Sequence, residues 1–346
     1  QVGNQNGISN YDGYLLYNMN NGNGALIGNG LASTITTSGN LVSLTRTWEK
    51  VQNYNIGLDF GFFKDRLVGT VEVFTKRNNN MLVGIDYPSI VGDNPPSVNE
   101  GKFKSWGYEG QLTWRDRIGK DFTYSIGGTF TFARNELVDF GGAATIESGY
   151  VDNREGYPIN SLFGLRYAGK IENEEMRQAY IDKYYENNGI GMPNNLRIGD
   201  NMFADVNNDG KLDYNDYVYL GPDDPEIQFS INAGFQWKGI DFSIVFQGAG
   251  NRTMWNGINN WTVPMRAFYT NTTNQSVGNV WSVDNTDGHY CPYTDDGAIN
   301  SYNYQASSWS ASDGAYIRLK NLTLGYTFPA KLFEKQNVVS GCRIYF

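Results

Sequence analysis

From Gln52 the chain alternates apolar and polar residues. Tyr54, Ile56, Leu58, Phe60 and Phe62 fall on one side of an extended segment, and Asn53, Asn55, Gly57, Asp59 and Gly61 on the other. Successive side chains of a strand take opposite faces, so period two predicts a strand with one dry face. After the polar turn Lys64-Asp65-Arg66 a second run sets Leu67, Gly69, Val71 and Val73 against Thr70, Glu72 and Lys76, with Phe74 the one exception on the polar side. The two runs predict a hairpin. A second pair places Trp106, Tyr108, Leu112 and Trp114 away from Glu109, Gln111, Thr113 and Arg115, turns over 116–120, and returns with Phe122, Tyr124, Ile126, Phe130 and Phe132 opposite Thr123, Ser125, Gly127, Thr129 and Thr131. A third sets Phe229, Ile231, Phe235 and Trp237 before a turn at Lys238-Gly239, then Phe242, Ile244 and Phe246. A later strand carries Leu322, Leu324, Tyr326 and Phe328. The predicted fold class is all-β, with antiparallel pairs.

Alternation reports only that one face is dry, and a soluble sandwich satisfies it as well as a membrane barrel. Two details favour the barrel. The polar faces are rich in Asn, Gln, Thr, Ser and Gly and poor in Lys and Glu, which suits a wet lumen, and aromatics such as Trp114, Phe122, Trp237 and Phe242 gather beside short turns, where an interfacial girdle lies. Connections are also asymmetric. Short turns alternate with long insertions at 134–226 and 249–311, the pattern of periplasmic turns and extracellular loops. Within the first insertion, the charged segment Glu172 to Tyr185 has helical spacing.

Composition is compatible with that reading. Charged residues are 18% of the 346, aromatics 15%, and 41 positions are Gly. A mean hydropathy of −0.48 fits a barrel, because a crossing strand needs only about 9 to 11 residues and exposes polar groups inward. There is no apolar run of about 18 residues, so a transmembrane helix is excluded. With 27 basic against 36 acidic residues the formal charge is −9, which disfavours nucleic acid as a partner. Gln1 to Asn10 lacks the basic and apolar regions of a signal peptide.

Catalytic chemistry has little to work with, and no enzyme is expected. One histidine, His289, and two cysteines, Cys291 and Cys342, exclude a two-histidine zinc site and a disulfide framework. Asp223, Asp224 and Glu226 form a carboxylate cluster whose expected role is solvated surface. More specific is the run Asp205 to Asp216. Oxygen-bearing Asp205, Asn207, Asp209, Asp213 and Asp216 stand at loop positions 1, 3, 5, 9 and 12, Gly210 at 6, and the Lys211 carbonyl at 7 completes the spacing of a calcium loop. Position 12 is Asp where that grammar has Glu, and the competing reading is an Asx-rich turn. A structural Ca²⁺ fastening an external loop is expected. In the second insertion Trp255, Trp261, Tyr269, Tyr302, Tyr304 and Trp309 sit among Asn and Gln. Their flat faces are candidates for stacking on sugar rings or peptide planes, the alternative being small aromatic cores within the loops.

Several of these segments together resemble the SusC/RagA family of TonB-dependent outer-membrane transporters of Bacteroidota. The residues that carry the resemblance are Trp48-Glu49-Lys50 leading into Asn55-Ile56-Gly57-Leu58-Asp59, the run Lys76 to Leu82 (KRNNNML), and Asn99-Glu100-Gly101 before Gly107-Tyr108-Glu109. Asp205 to Lys211 (DVNNDGK) and Ala315 to Pro329 (AYIRLKNLTLGYTFP) complete the set. Their order matches the C-terminal half of the family's barrel. The resemblance implies a barrel of about 22 strands closed around an N-terminal plug. It also implies import of oligosaccharides or oligopeptides across the outer membrane, a SusD-like surface lipoprotein acting as a lid, and energy delivered through TonB. No TonB box or plug is recognisable in 1–346, and about ten strands do not close a barrel of about 22. The chain is therefore expected to be the C-terminal part of one such barrel domain, embedded in outer-membrane lipid. A passive porin or adhesin barrel and a secreted glycan-binding β-protein are the rival readings.

Overall fold

In the computed structural model each alternating run is a strand. It describes residues 2–5, 14, 17–20, 26–27, 30–31, 34–37, 41–43, 45–84, 90, 96–141, 151–255, 274–335 and 338–346. The chain divides into two compact units: Gln1–Arg117, Ser125–Thr145 and Asn153–Ile159 in the first, and Ile118–Tyr124, Ile146–Asp152 and Asn160–Phe346 in the second.

The first unit is built on β1 (Glu49–Phe62), β2 (Leu67–Gly84), β3 (Ser97–Ile118) and β4 (Phe122–Asp139), neighbours in that order. Register puts Ile56 opposite Val73 and Val73 opposite Tyr108, and sets Phe60 beside Gly69 and Gly69 beside Leu112, so the apolar residues form rows across one face. That face is bare: Ile56 is 81% exposed and Leu58 65%. The other face carries a polar ladder in which Thr70 Oγ1 donates to Asp59 Oδ1 at 2.6 Å beside Gln111. Strands of 14, 18, 22 and 18 residues are longer than the roughly 10 that a hydrocarbon-crossing strand requires.

The β1–β2 turn falls where the polar run predicts it, with Phe63, Lys64 and Asp65 all left-handed at φ near 60°. Phe74, the exception in the alternation, has a local cause. It faces Gly107 across the β2–β3 ladder, and a Cβ at 107 would lie 2.8 Å from its ring and 2.1 Å from the Phe132 carbonyl oxygen. The glycine leaves the space that the ring covers, and this keeps an aromatic group on an otherwise polar face.

In the second unit the first long insertion is folded. It contains β5 (Ser161–Leu165), β6 (Tyr167–Lys170), α1 (Glu174–Tyr184), β7 (Asn201–Phe203) and β8 (Tyr217–Pro222), with β5 antiparallel to β8 and β6 to β7. α1 matches the predicted helix. Asn173 caps it by accepting from the Met176 N–H at 2.8 Å, and Glu174 and Glu175 in its first turn with Lys183 in its last complement the helix dipole.

The chain continues through β9 (Ile227–Trp237), β10 (Ile240–Gly250) and β11 (Thr253–Trp255), then α2 (Gly297–Asn303), β12 (Ala311–Asp313), β13 (Tyr316–Thr327) and β14 (Arg343–Tyr345). β9 and β10 pair over their full length through a two-residue turn, Lys238 and Gly239, both with positive φ, the geometry that matches strand twist. Beside that turn the rings of Phe122, Phe235 and Phe242 stack in a row, with centroids 5.6 and 5.4 Å apart. β10 pairs with β13, where a bulge leaves Lys320 unopposed between the Val245–Asn321 and Phe246–Leu319 pairs. The extra residue returns Ile317 and Leu319 to the face of Leu322 and Leu324, and all four are about half or more exposed.

Burial therefore runs opposite to that of a soluble β-protein. Most fully buried hydrophobic side chains lie in the insertions, in a cluster of Phe163, Leu165, Ile171, Leu196, Phe203, Leu212 and Tyr302 with their neighbours, while the regular strands bury few, such as Val83 of β2 and Leu137 of β4, and leave most of their apolar faces uncovered.

Candidate functional site

The two insertions are joined by a polar network within the second unit. Asp200, with no exposed surface, accepts from the Arg197 backbone N–H at 2.6 Å, from Arg197 Nη2 at 3.2 Å, and from Asn303 Nδ2 at 2.8 Å. Asn303 Oδ1 in turn accepts from the Asn201 N–H at 2.8 Å, and Asn201 Nδ2 donates to the Asn303 carbonyl at 3.0 Å. Arg197 donates from its two terminal nitrogens to the Tyr293 and Pro292 carbonyls. Residues about a hundred positions apart thus satisfy one another, as burial requires of polar groups.

Against that scaffold the 205–216 loop is compact and internally bonded. Asp205 accepts from the N–H groups of Asp209 (3.2 Å) and Gly210 (3.0 Å), Asn207 Oδ1 from Asp209 (2.9 Å), and Asp209 Oδ1 from Lys211 (2.9 Å). Asp216, 1% exposed, accepts from Val206 at 2.8 Å and from Asp213 at 3.1 Å, and Asp213 Oδ1 accepts from Asn215. Gly210 has φ +81°, the sharp turn its position demands. Among the described residues no three His, Cys, Asp or Glu side chains converge as metal ligands. The acidic oxygens close the loop on its own backbone, in the Asx-turn manner. Each bonded carboxylate oxygen keeps a second lone pair, and the donor set is oxygen throughout, the chemistry calcium takes.

The aromatic candidates separate. Tyr302 and Tyr304 are 1% and 2% exposed, which corrects their expected role as ligand-stacking faces: both are core residues of the insertions. The Tyr302 ring packs edge-on against Phe203 at 5.2 Å, and its hydroxyl meets that of Tyr180 at 2.8 Å. Burial pushes the Tyr180 phenol up to about 12 and holds that of Tyr302 well above the usual tyrosine range, so both hydroxyls stay neutral and bonded. Trp309 is half-buried, with one face stacked on His289 at 4.8 Å and Tyr304 against it edge-on. Trp255 is 43% exposed at the end of β11. Trp261 and Tyr269 lie outside the described residues.

Cys291 is a core residue. Burial raises its thiol to about 12, and Lys170 Nζ approaches its sulfur at 3.6 Å. The carboxylate cluster near 223 is less solvated than expected. Glu226 is 6% exposed and accepts from Asn251 Nδ2, and Asp223 faces the Arg252 guanidinium at 3.7 Å.

One site gave no signal in the sequence. Where β11 pairs with β12, an open cavity of about 530 Å³ is lined by Asn251, Arg252, Thr253, Ser308, Ser312 and Asp313, with Leu220, Ala311 and Ala315 as its apolar patches. Its two walls are about sixty residues apart in sequence.

No family model matches the chain. Among curated proteins it is similar to TonB-dependent receptor P3 of Formosa agariphila, 26% identical over 301 residues, which is 83% of this chain and 28% of that protein. It is likewise similar to TonB-dependent receptor SusC of Bacteroides thetaiotaomicron, 24% identical over 308 residues, 86% of this chain and 28% of that one. Its fold matches solved structures of the RagAB peptide importer in the open-open state (TM-score 0.75, 23% identity, 99% of this chain and 34% of that chain) and of the RagAB peptide transporter (TM-score 0.73, 22% identity, 99% and 35%). The motif resemblance to the SusC/RagA family is thus met independently by sequence relatives and by fold. The chain spans less than a third of the curated relatives it matches.

Proposed function

We propose that the chain is a C-terminal segment of an outer-membrane β-barrel that imports a polar oligomer, an oligosaccharide or an oligopeptide, by a TonB-dependent mechanism. The observation that carries this reading is the inverted burial: long antiparallel strands with a bare apolar face, such as Ile56 at 81% and Ile317 at 71% exposed, beside polar-faced ladders and insertions that hold the hydrophobic core. Lipid is the medium in which such a face costs nothing. The curated TonB-dependent receptors support the transport class, and RagAB is a peptide transporter. On this reading the protein is not an enzyme, since its work is translocation. A SusD-like surface lipoprotein covers the insertions, and TonB acts on a part of the protein outside this span.

Uptake is the test. Cells carrying the full-length protein should accumulate a labelled oligomer only while TonB is energised, and a surface lipoprotein should co-purify in detergent. Changing Trp255, Trp261 and Trp309 together to Ala is expected to reduce uptake severalfold. The reading fails if protease added outside the cell cannot reach the insertions, or if uptake is independent of TonB.

We also propose that the 205–216 loop takes one Ca²⁺ through Asp205, Asn207, Asp209, Asp213 and Asp216 with the Lys211 carbonyl. The oxygen-only donor set and the spacing support it. An ion bound only to the ordered loop stabilises it by mass action, about 2.7 kcal/mol at a hundredfold excess over its dissociation constant. Hydrogen exchange of residues 205–216 should slow on adding calcium and return with chelator, and Asp209→Asn should abolish the difference. Identical exchange in calcium and in chelator would return the loop to an unoccupied Asx turn.

A further inference from the structure

We infer that the cavity between β11 and β12 is a subsite for one uncharged, hydroxyl-bearing sugar ring. This rests on the importer reading and narrows its cargo to a neutral oligosaccharide. The volume, about 530 Å³, suits a small-ligand subsite, within the few hundred to about a thousand Å³ typical of such pockets.

The lining fits vicinal hydroxyls, each of which donates one hydrogen bond and accepts others. Arg252 is already oriented: its Nε donates to the Asp223 carbonyl at 2.7 Å and Nη2 lies 3.7 Å from the Asp223 carboxylate, while among the described residues Nη1 has no hydrogen-bond partner. Asp313 Oδ1 accepts from the Ala315 N–H at 2.8 Å, and Oδ2 has no partner among the described residues. A planar donor and a planar acceptor therefore face one cavity, each held by a bond on its other side. The Thr253 hydroxyl donates to the Leu220 carbonyl at 3.1 Å and so offers an acceptor, Ser308 Oγ accepts from the Tyr167 N–H at 2.9 Å and keeps its proton to donate, and Ser312 adds a third hydroxyl. In the β11–β12 ladder Thr253 opposes Asp313 and Trp255 opposes Ala311, two pairs along, so Trp255 shares the face of Thr253, Asp313 and Ala311. An aromatic plane beside convergent polar groups is the arrangement that receives a ring apolar on its faces and polar at its edge.

Charge selects among oligomers. Among the described residues that line the cavity the charges are Arg252 and Asp313, and Asp223 stands 3.7 Å behind the arginine, so these three sum to −1 and a carboxylated sugar or the carboxylate end of a peptide enters an acidic surround. A neutral sugar meets no such repulsion.

The full-length protein in detergent, titrated calorimetrically, tests this. Probes are the neutral hexasaccharides of maltose, cellulose, xylan and mannan type, hexagalacturonate as the carboxylated counterpart, and a hexapeptide of alternating Ala and Ser. At least one neutral hexasaccharide should bind, and hexagalacturonate and the peptide at least about tenfold more weakly. Arg252→Ala and Asp313→Asn should each weaken the neutral probe about tenfold, the loss of one charge-assisted hydrogen bond. Asp313 is exposed, so its variant retains the fold if the arginine variant does not. Tighter binding of hexagalacturonate or the peptide, binding of no neutral probe, or unchanged affinity in Asp313→Asn would each overturn the subsite. TonB-driven uptake of a probe whose affinity ignores both variants would leave transport standing and remove the subsite; binding without uptake would do the reverse.

Discussion

Leu58→Arg should destabilise the folded protein in lipid by about 2 to 4 kcal/mol, the cost of a guanidinium at the hydrocarbon midplane. Position supports that placement. Leu58 is five residues before Phe63 in the turn, about 16 Å along the strand at about 3.3 Å per residue, which a tilt near 40° converts to roughly 12 Å of height. That is half of the apolar band of about 25 Å. The turn end is marked by aromatic rings, with Phe63 and Trp114 6.0 Å apart. Gln111→Arg, on the opposite face, should be close to neutral. Urea unfolding in lipid vesicles reads both. Equal effects from the two variants would mean that the Ile56–Leu58 face does not meet lipid.

The second large effect is expected at Asp200. Asp200→Ala removes a carboxylate without exposed surface and leaves the Arg197 N–H and the Asn303 side-chain amide without their acceptor. Breaking a buried charged network costs about 3 to 5 kcal/mol, and the lower end applies because the Arg197 side chain is one-third exposed and keeps its two carbonyl partners. The loss should be confined to the insertions. Hydrogen exchange within 160–222 and 274–313 should accelerate, while β9 and β10 keep their protection. If protection of β9 and β10 fell equally, the insertions would not be a separately opening part of the unit.

The strand pairs and their turns were legible because a strand with one dry face writes its geometry locally, in every second residue. Ile56, Leu58, Phe235 and Leu324 need no tertiary information. Where the pairing is irregular, legibility stops: Leu319 and Leu322 lie three apart, and only the bulge at Lys320 shows that both belong to one face. The fold of the insertions is hidden from the sequence for a related reason. Phe163, Leu196, Leu212 and Tyr302 follow no period, since they converge from short elements of different direction. Tyr302 and Tyr304 looked like surface contacts because Asn-rich surroundings resemble solvent-facing chain, and burial depends on partners far away in sequence. The cavity at Arg252 and Asp313 was invisible for that reason, each wall being unremarkable alone. The 205–216 loop is the reverse case: its spacing is fully visible in the sequence, while the arrangement of its oxygens is set only by the folded backbone.

The junction of Asp200 with Asn303 also sets an order of events during biogenesis. The chain between them contains the whole β9–β10 hairpin, so about a hundred residues must be synthesised before the junction can close. Closing so long a loop carries an entropic cost that grows only with the logarithm of its length, yet such distant contacts slow folding markedly. Until then Phe163, Leu165 and Phe203 are uncovered in water. Refolding from urea should therefore show a slow phase in the insertions that lags behind hairpin formation.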